Sequence, residues 1–164
     1  MRAKDYASLM ALARILVDGY SLLHHWPELA AGATRHSERA RDALVEMLQH
    51  YQDAGGAPVT VFFDGAGARR KPRNESHGSV EVLFSRAGQT ADELIERAAH
   101  RFLEHGEVLV VTNDQAERDV VGGFGASVAS CENFIRMIGG TLADLRDELK
   151  TRNRAERNRF NRPR

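Results

Sequence analysis

Apolar residues gather in five short runs separated by turn-forming stretches: Ile15–Val17, Val59–Phe63, Val80–Phe84, Val108–Thr112 and the weaker Ala126–Ala129. Their richness in Val and Phe and their near-continuous apolarity predict strands buried on both faces. From Ser37 onward, Ala40, Ala43, Leu44, Met47, Leu48 and Tyr51 recur at three-and-four spacing, which predicts a helix with one buried face, stopped by Gly55, Gly56 and Pro58. The same periodicity in Leu94, Ile95, Ala98, Ala99, Phe102 and Leu103 predicts a second helix over 91–104, with Gly106 beyond its end. Shorter helices are expected after the last two strands. Beyond Thr141 apolar residues thin out after Leu149, so a last helix is expected to fray there. Strands alternating with helices describe an α/β three-layer sandwich around a central, mostly parallel sheet of about five strands.

The chain has 164 residues, 42% of them apolar and 28% charged, an ordinary globular composition for one domain. It excludes wholesale disorder, a collagen-like repeat and a disulfide-stapled miniprotein. The domain is expected over residues 1–149, with 150–164 as an extension outside the packed fold. Residues 65–79 are polar and rich in Gly and Arg, and are expected to form a mobile loop. The single cysteine, Cys131, allows no internal disulfide, and no Cys or His cluster has zinc-site spacing. The Leu9–Val17 stretch is interrupted by Arg14 and does not read as a signal peptide. No run reaches the length of a membrane span. A reducing, cytoplasmic location without membrane contact is the expectation.

Charge changes the picture at one end. The 23 basic and 23 acidic residues cancel, but Lys150, Arg152, Arg154, Arg157, Arg159, Arg162 and Arg164 face only Glu156 in the last fifteen positions. The remaining body is therefore acidic. That distribution suits a cation site in the body and a polyanion partner for the tail.

The acids of the body fall at corresponding places. Asp18 follows the first strand directly, Asp64 the second, and Asp114 comes two residues after the fourth. Asp92 lies in the first turn of the helix after the third strand. In a parallel sheet those ends share one edge, where open α/β folds bind ligands. Taken singly, each has a local role: Asp18-Gly19 and Asp64-Gly65 are turn pairs, Thr90 to Glu93 reads as a capping box, and Asn113-Asp114 can cap a helix. Four carboxylates in one crevice repel, and a hard divalent ion such as Mg²⁺ or Mn²⁺ offsets that repulsion with the oxygen ligands it prefers. Phosphodiester hydrolysis follows as the leading chemistry.

Val17-Asp18-Gly19-Tyr20, Phe63-Asp64-Gly65, Phe84-Ser85-Arg86, the run Thr90 to Glu96, and Val111-Thr112-Asn113-Asp114 together resemble the YacP-like NYN family, within the wider PIN-like group of metal-dependent ribonucleases. The resemblance covers roughly residues 14–138. It implies a PIN-like fold and an acidic Mg²⁺ or Mn²⁺ centre that cuts RNA internally, leaving 5′-phosphate and 3′-hydroxyl ends. Asp18, Asp92 and Asp114 match the family's catalytic acids, Asp64 joins them as a metal ligand, and Glu93 and Asp119 are outer helpers. Ser21 stands where the family usually has asparagine, and Asn113 where serine is common.

Arg69, Arg70, Lys71 and Arg73 stand beside the Asp64 edge and are expected to contact phosphates, with Tyr20 or Trp26 stacking a base and Asn113 also touching substrate. The expected partner is RNA, messenger or ribosome-associated, with the basic tail contacting the ribosome. Three other readings use the same chain. It could be a non-catalytic RNA- or ribosome-binding module, or a phosphatase or nucleotide-binding protein working at the same edge. It could also cleave without metal through His24, His25 or His77. The Gly65-Ala66-Gly67-Ala68 stretch lacks the third glycine of a dinucleotide fingerprint, Arg70 standing in its place.

Overall fold

A computed structural model describes residues 12–65 and 80–161. Five strands, β1 (Leu12–Asp18), β2 (Val59–Phe63), β3 (Glu81–Phe84), β4 (Glu107–Val111) and β5 (Ser127–Ala129), form one sheet, with the order β3-β2-β1-β4-β5. All four pairings are parallel. The helices are α1 (Gly19–His24), α2 (Glu38–Asp53), α3 (Ala91–Phe102), α4 (Gln115–Gly123) and α5 (Cys131–Phe160). The predicted strands and the two predicted amphipathic helices are all present. The loop expected over 65–79 lies, from residue 66 on, outside the described residues.

Alternation along each strand sorts its side chains into two cores. Ile15, Val17, Val59, Val61, Phe63, Leu109 and Val111 face one side with α1, α2 and the start of α5. Leu16, Phe62, Val108 and Val110 face the other with α3 and α4. This period of two, with both faces covered, is why the strands read as unbroken apolar runs.

Strand order places the chemistry. The chain steps outward from β1 through β2 to β3, then α3 carries it back under the sheet to β4 on the far side of β1. The direction of travel reverses between β1 and β4, which opens a crevice at their C-terminal ends. Val17 pairs in register with Val111, so Asp18 and Thr112 emerge together there.

α5 departs from expectation. The shorter helix expected after the last strand and the last helix expected to fray after Leu149 are one helix, which begins at Cys131, capped by the Ser130 hydroxyl, and continues to Phe160. Helix nucleation is the unfavourable step, and the turns packed through Phe134 and Ile138 supply it. Propagation through Arg, Lys, Glu and Ala then needs little burial, and Arg157 and Arg159 suit the helix C-terminus. Among the described residues no helix is long and apolar enough to cross a membrane.

Candidate metal centre

Asp18 ends β1 and caps α1, its Oδ1 accepting the Ser21 N–H at 3.3 Å. Gly19 makes this abrupt strand-to-helix junction possible. A Cβ there would stand 2.3 Å from the Phe63 ring, so close approach of backbone to a buried ring, rather than a positive φ, requires glycine. Gly65 is alike: a Cβ would meet the Ser85 carbonyl oxygen at 2.5 Å. Its N–H donates to Ser85 Oγ at 3.0 Å, and that hydroxyl donates to Asp64 Oδ1 at 2.9 Å, which orients the second acid.

Asp92 occupies the first turn of α3, behind a Thr90 cap whose hydroxyl accepts the Glu93 N–H. Its partners across the crevice are Asp18 and Glu117, a residue the acids at strand ends did not point to. One oxygen from each of Asp18, Asp92 and Glu117 lies within 4.8 Å of the others. Asp64 stands beside this trio, near enough for its charge to help raise the pKa of Asp18, but is not one of it.

Asp114 is where the structure departs from the expected set. Its carboxylate is exposed, and Oδ1 accepts the N–H groups of Ala116 at 2.9 Å and Glu117 at 3.3 Å, capping α4. It stays outside the trio, and Glu117 is the third corner. The reason lies in α4's first turn, which projects the side chain three residues past the cap back toward β4. Glu117 is only 3% exposed. Oε2 accepts the hydroxyl of the fully buried Thr112 at 3.0 Å. Oε1 is buried and finds no donor among the described residues.

These surroundings raise the affinity of Glu117 and Asp18 for protons. Burial, then the facing Asp92 carboxyl, pushes Glu117 up to about 8, opposed by the Thr112 bond. Burial also raises Asp18, with the Asp92 and Asp64 charges adding and the Ser21 N–H opposing. Two acids that face each other can hydrogen-bond only by sharing a proton, unless a cation takes its place. The orphaned Glu117 Oε1 fits a hard divalent cation. Asp18, Asp92 and Glu117 would hold such an ion through one carboxylate oxygen each.

The expected substrate contacts divide. Asn113 is a bracket: its Oδ1 accepts the Cys131 N–H at 2.7 Å, and Nδ2 reaches both Glu132 oxygens at 3.1 Å and His25 Nε2 at 3.0 Å. It ties the loop after β4 to α5 and, through His25, to the end of α1. His25 Nδ1 bonds the Ser21 carbonyl at 2.8 Å, which leaves Nε2 to accept from Asn113. Glu132 is held below the usual carboxylate range by its own backbone N–H and by Asn113. Cys131, buried and bonded to the Ser21 side chain, is pushed up to about 11 by burial and then Glu132, so it is no thiolate nucleophile. Tyr20 packs its ring against Phe63 and His36. Glu93 and Asp119 are exposed; Asp119 accepts from Gln115 at 2.8 Å. Arg69, Arg70, Lys71 and Arg73, with His77 and the dinucleotide-like stretch beyond Gly65, lie outside the described residues.

A family model of the YacP-like NYN domain matches residues 15–163, nearly the whole chain. The chain belongs to the YacP-like NYN family. The match runs through the full length of α5. The chain is 32% identical over 125 residues to the uncharacterized protein YacP of Bacillus subtilis (strain 168), covering 76% of this chain and 74% of that protein. It is also similar to two crystal structures of Rae1 (YacP) from Bacillus subtilis. A single-site variant gives a TM-score of 0.69 at 31% identity, with 88% of this chain and 85% of the other covered. The second gives 0.69 at 28%, with 87% and 82% covered. This NYN-domain chain therefore carries a nuclease-type fold, and its acidic trio could hold a metal ion at the crevice that fold provides.

Proposed function

We propose that the chain is a metal-dependent endoribonuclease that hydrolyses RNA phosphodiester bonds, with Asp18, Asp92 and Glu117 holding Mg²⁺ or Mn²⁺. The observation that carries this is the buried Glu117 Oε1, unpaired among the described residues and facing two further carboxylates at the β1/β4 crevice. A divalent ion bound there would supply Lewis-acid polarisation of a phosphoryl oxygen and a more acidic attacking water.

The chain's own residues do the rest. Thr112 and the Ser21 N–H fix the rotamers of Glu117 and Asp18, so the ligand oxygens are set before substrate arrives. Asp64, oriented by Ser85, stands at the rim of the trio, where its carboxylate can accept a proton from the attacking water. Water oxygen bonds to phosphorus, the bond to the 3′-oxygen breaks, and that oxygen takes a proton. The products are a 5′-phosphate and a 3′-hydroxyl. The cations of the basic tail, carried on α5 through Arg159, contact RNA phosphates outside the crevice, including those of ribosome-associated RNA. A cytoplasmic location agrees with such a substrate.

The test is cleavage of end-labelled RNA, structured and unstructured, with Mn²⁺, Mg²⁺ or chelator, beside Asp92→Asn and Glu117→Gln. Internal cuts that need metal, end in 5′-phosphates and vanish in both variants support the reading. Dominant 2′,3′-cyclic phosphate ends, or cutting that survives chelator, overturn the hydrolytic mechanism. RNA binding that survives chelator without cutting under either ion supports the binding-module reading instead.

A further inference from the structure

Beside the carboxylates, on the β2 and β3 side of the same sheet edge, a second constellation is not used by the acids. Four rings back one another in sequence. Phe84, ending β3, stacks on Phe63 at 5.5 Å and 28°. Phe63 meets Tyr20 at 5.1 Å, and Tyr20 meets His36 at 4.4 Å. The series runs from the half-buried Phe84 through the buried Phe63 to the exposed His36. Arg41, in the first turns of α2, lies along it. Its Nη1 donates to the Tyr20 hydroxyl at 3.2 Å and the His36 carbonyl at 2.8 Å, and the guanidinium carbon stands 5.8 Å from the Phe84 ring centre.

The contacts of Arg41 are a hydroxyl, a backbone carbonyl and a ring face. Among the described residues no carboxylate pairs with Arg41, and both hydrogen bonds use Nη1. These bonds leave a fork of N–H groups on Nε and Nη2, the geometry that takes a phosphate in bidentate fashion. Tyr20 lies two residues from Asp18, so this subsite adjoins the acids along the chain as well as along the edge.

We infer that Arg41 and the His36–Tyr20 rings form a subsite for one unpaired nucleotide of single-stranded RNA, the phosphate on Arg41 and the base extending the ring series on His36. A base stacked there has left its own helix, so the subsite selects single strands over duplex. The inference rests on the nuclease reading only for placing that nucleotide next to the bond that is cut.

Binding in chelator separates the two. The probes are a fluorescent single-stranded RNA of about eight nucleotides and the same strand in a duplex, titrated over a range of salt. The wild type binds the single strand more tightly than the duplex. Arg41→Gln weakens single-strand binding and lowers the slope of log affinity against log salt by about 0.7, the change for one phosphate contact. His36→Ala, at an exposed position that folding tolerates, weakens it by about 5-fold or more with the salt slope unchanged and duplex binding unaffected. Wild-type affinity and slope in both variants overturn the subsite, whatever the cleavage assay gives. Loss of binding in these variants alongside a chain that never cuts upholds the subsite and removes the nuclease reading.

Discussion

One hydroxyl sets the geometry of two acids: Thr112 Oγ1 donates to Glu117 Oε2 at 3.0 Å and accepts the Asp114 N–H at 3.1 Å. In a capping box the third helical residue would reach back for that N–H. Because Thr112 takes it, Glu117 is released from capping and turns its free oxygen to the crevice. Thr112→Val keeps the shape and removes both bonds. It should lower stability by about 1–3 kcal/mol and weaken metal binding, while Thr112→Ser should restore most of both. Urea unfolding and Mn²⁺ titration measure the two effects.

The pH dependence follows from protons held in the fold. Glu117 is raised from its ordinary 4.5 to about 8, and Asp18 is raised as well. A raised acid binds more protons folded than unfolded, so its contribution is complete below the unfolded pKa and is lost as pH rises toward the folded one. In chelator, stability should therefore decline between about pH 4.5 and 8, and Glu117→Gln should flatten the decline. Mg²⁺ binding should release protons and tighten as pH rises toward 8. Unfolding midpoints at several pH values and calorimetry in two buffers test the sign.

Asp114 offers a decisive comparison of cap with ligand. Asn caps helices as well as Asp does, whereas Ala costs about 1 kcal/mol. Asp114→Asn should keep most of the cleavage rate, while Asp92→Asn abolishes it. Equal loss in the two, measured under saturating Mn²⁺, would make Asp114 a ligand.

Gly19→Ala drives a methyl into Phe63, which is fully buried and cannot swing away. The expected cost is about 1–3 kcal/mol, together with displacement of Asp18. The double variant Gly19→Ala/Phe63→Leu should recover part of the stability, a coupling a double-mutant cycle reads directly.

Removing residues 150–164 deletes seven cations. RNA affinity should fall, and its salt dependence should become shallower, with cleavage of a short unstructured RNA little changed. Affinity that is unaltered at matched salt would exclude the tail from the interface.

The sheet was legible because burial on both faces leaves strands as apolar runs, and runs ending in Asp18 or Asp64 mark the edge without further help. Asp92 was legible through the capping pattern at Thr90. Glu117 was not: an acid three residues into a helix reads as a solvated first turn, and only Thr112, five residues earlier, marks it as buried. Its signal was the Thr112-x-Asp114-x-x-Glu117 spacing. Helix α1 was hidden because a glycine begins it and it has only six residues. The end of α5 is not legible in the sequence because apolar periodicity reports packing, and a helix already nucleated can continue without it.

That continuation has an energetic consequence. A coil that meets a polyanion loses about 1–2 kcal/mol of backbone entropy for each residue it orders, and much of its Coulomb gain is spent there. Lys150, Arg152, Arg154, Arg157 and Arg159 already stand on a helix in the free chain. They are pre-organised, at about 1.5 Å of rise per residue, so on the proposed RNA reading a phosphate contact there would reach the binding constant with little of that deduction.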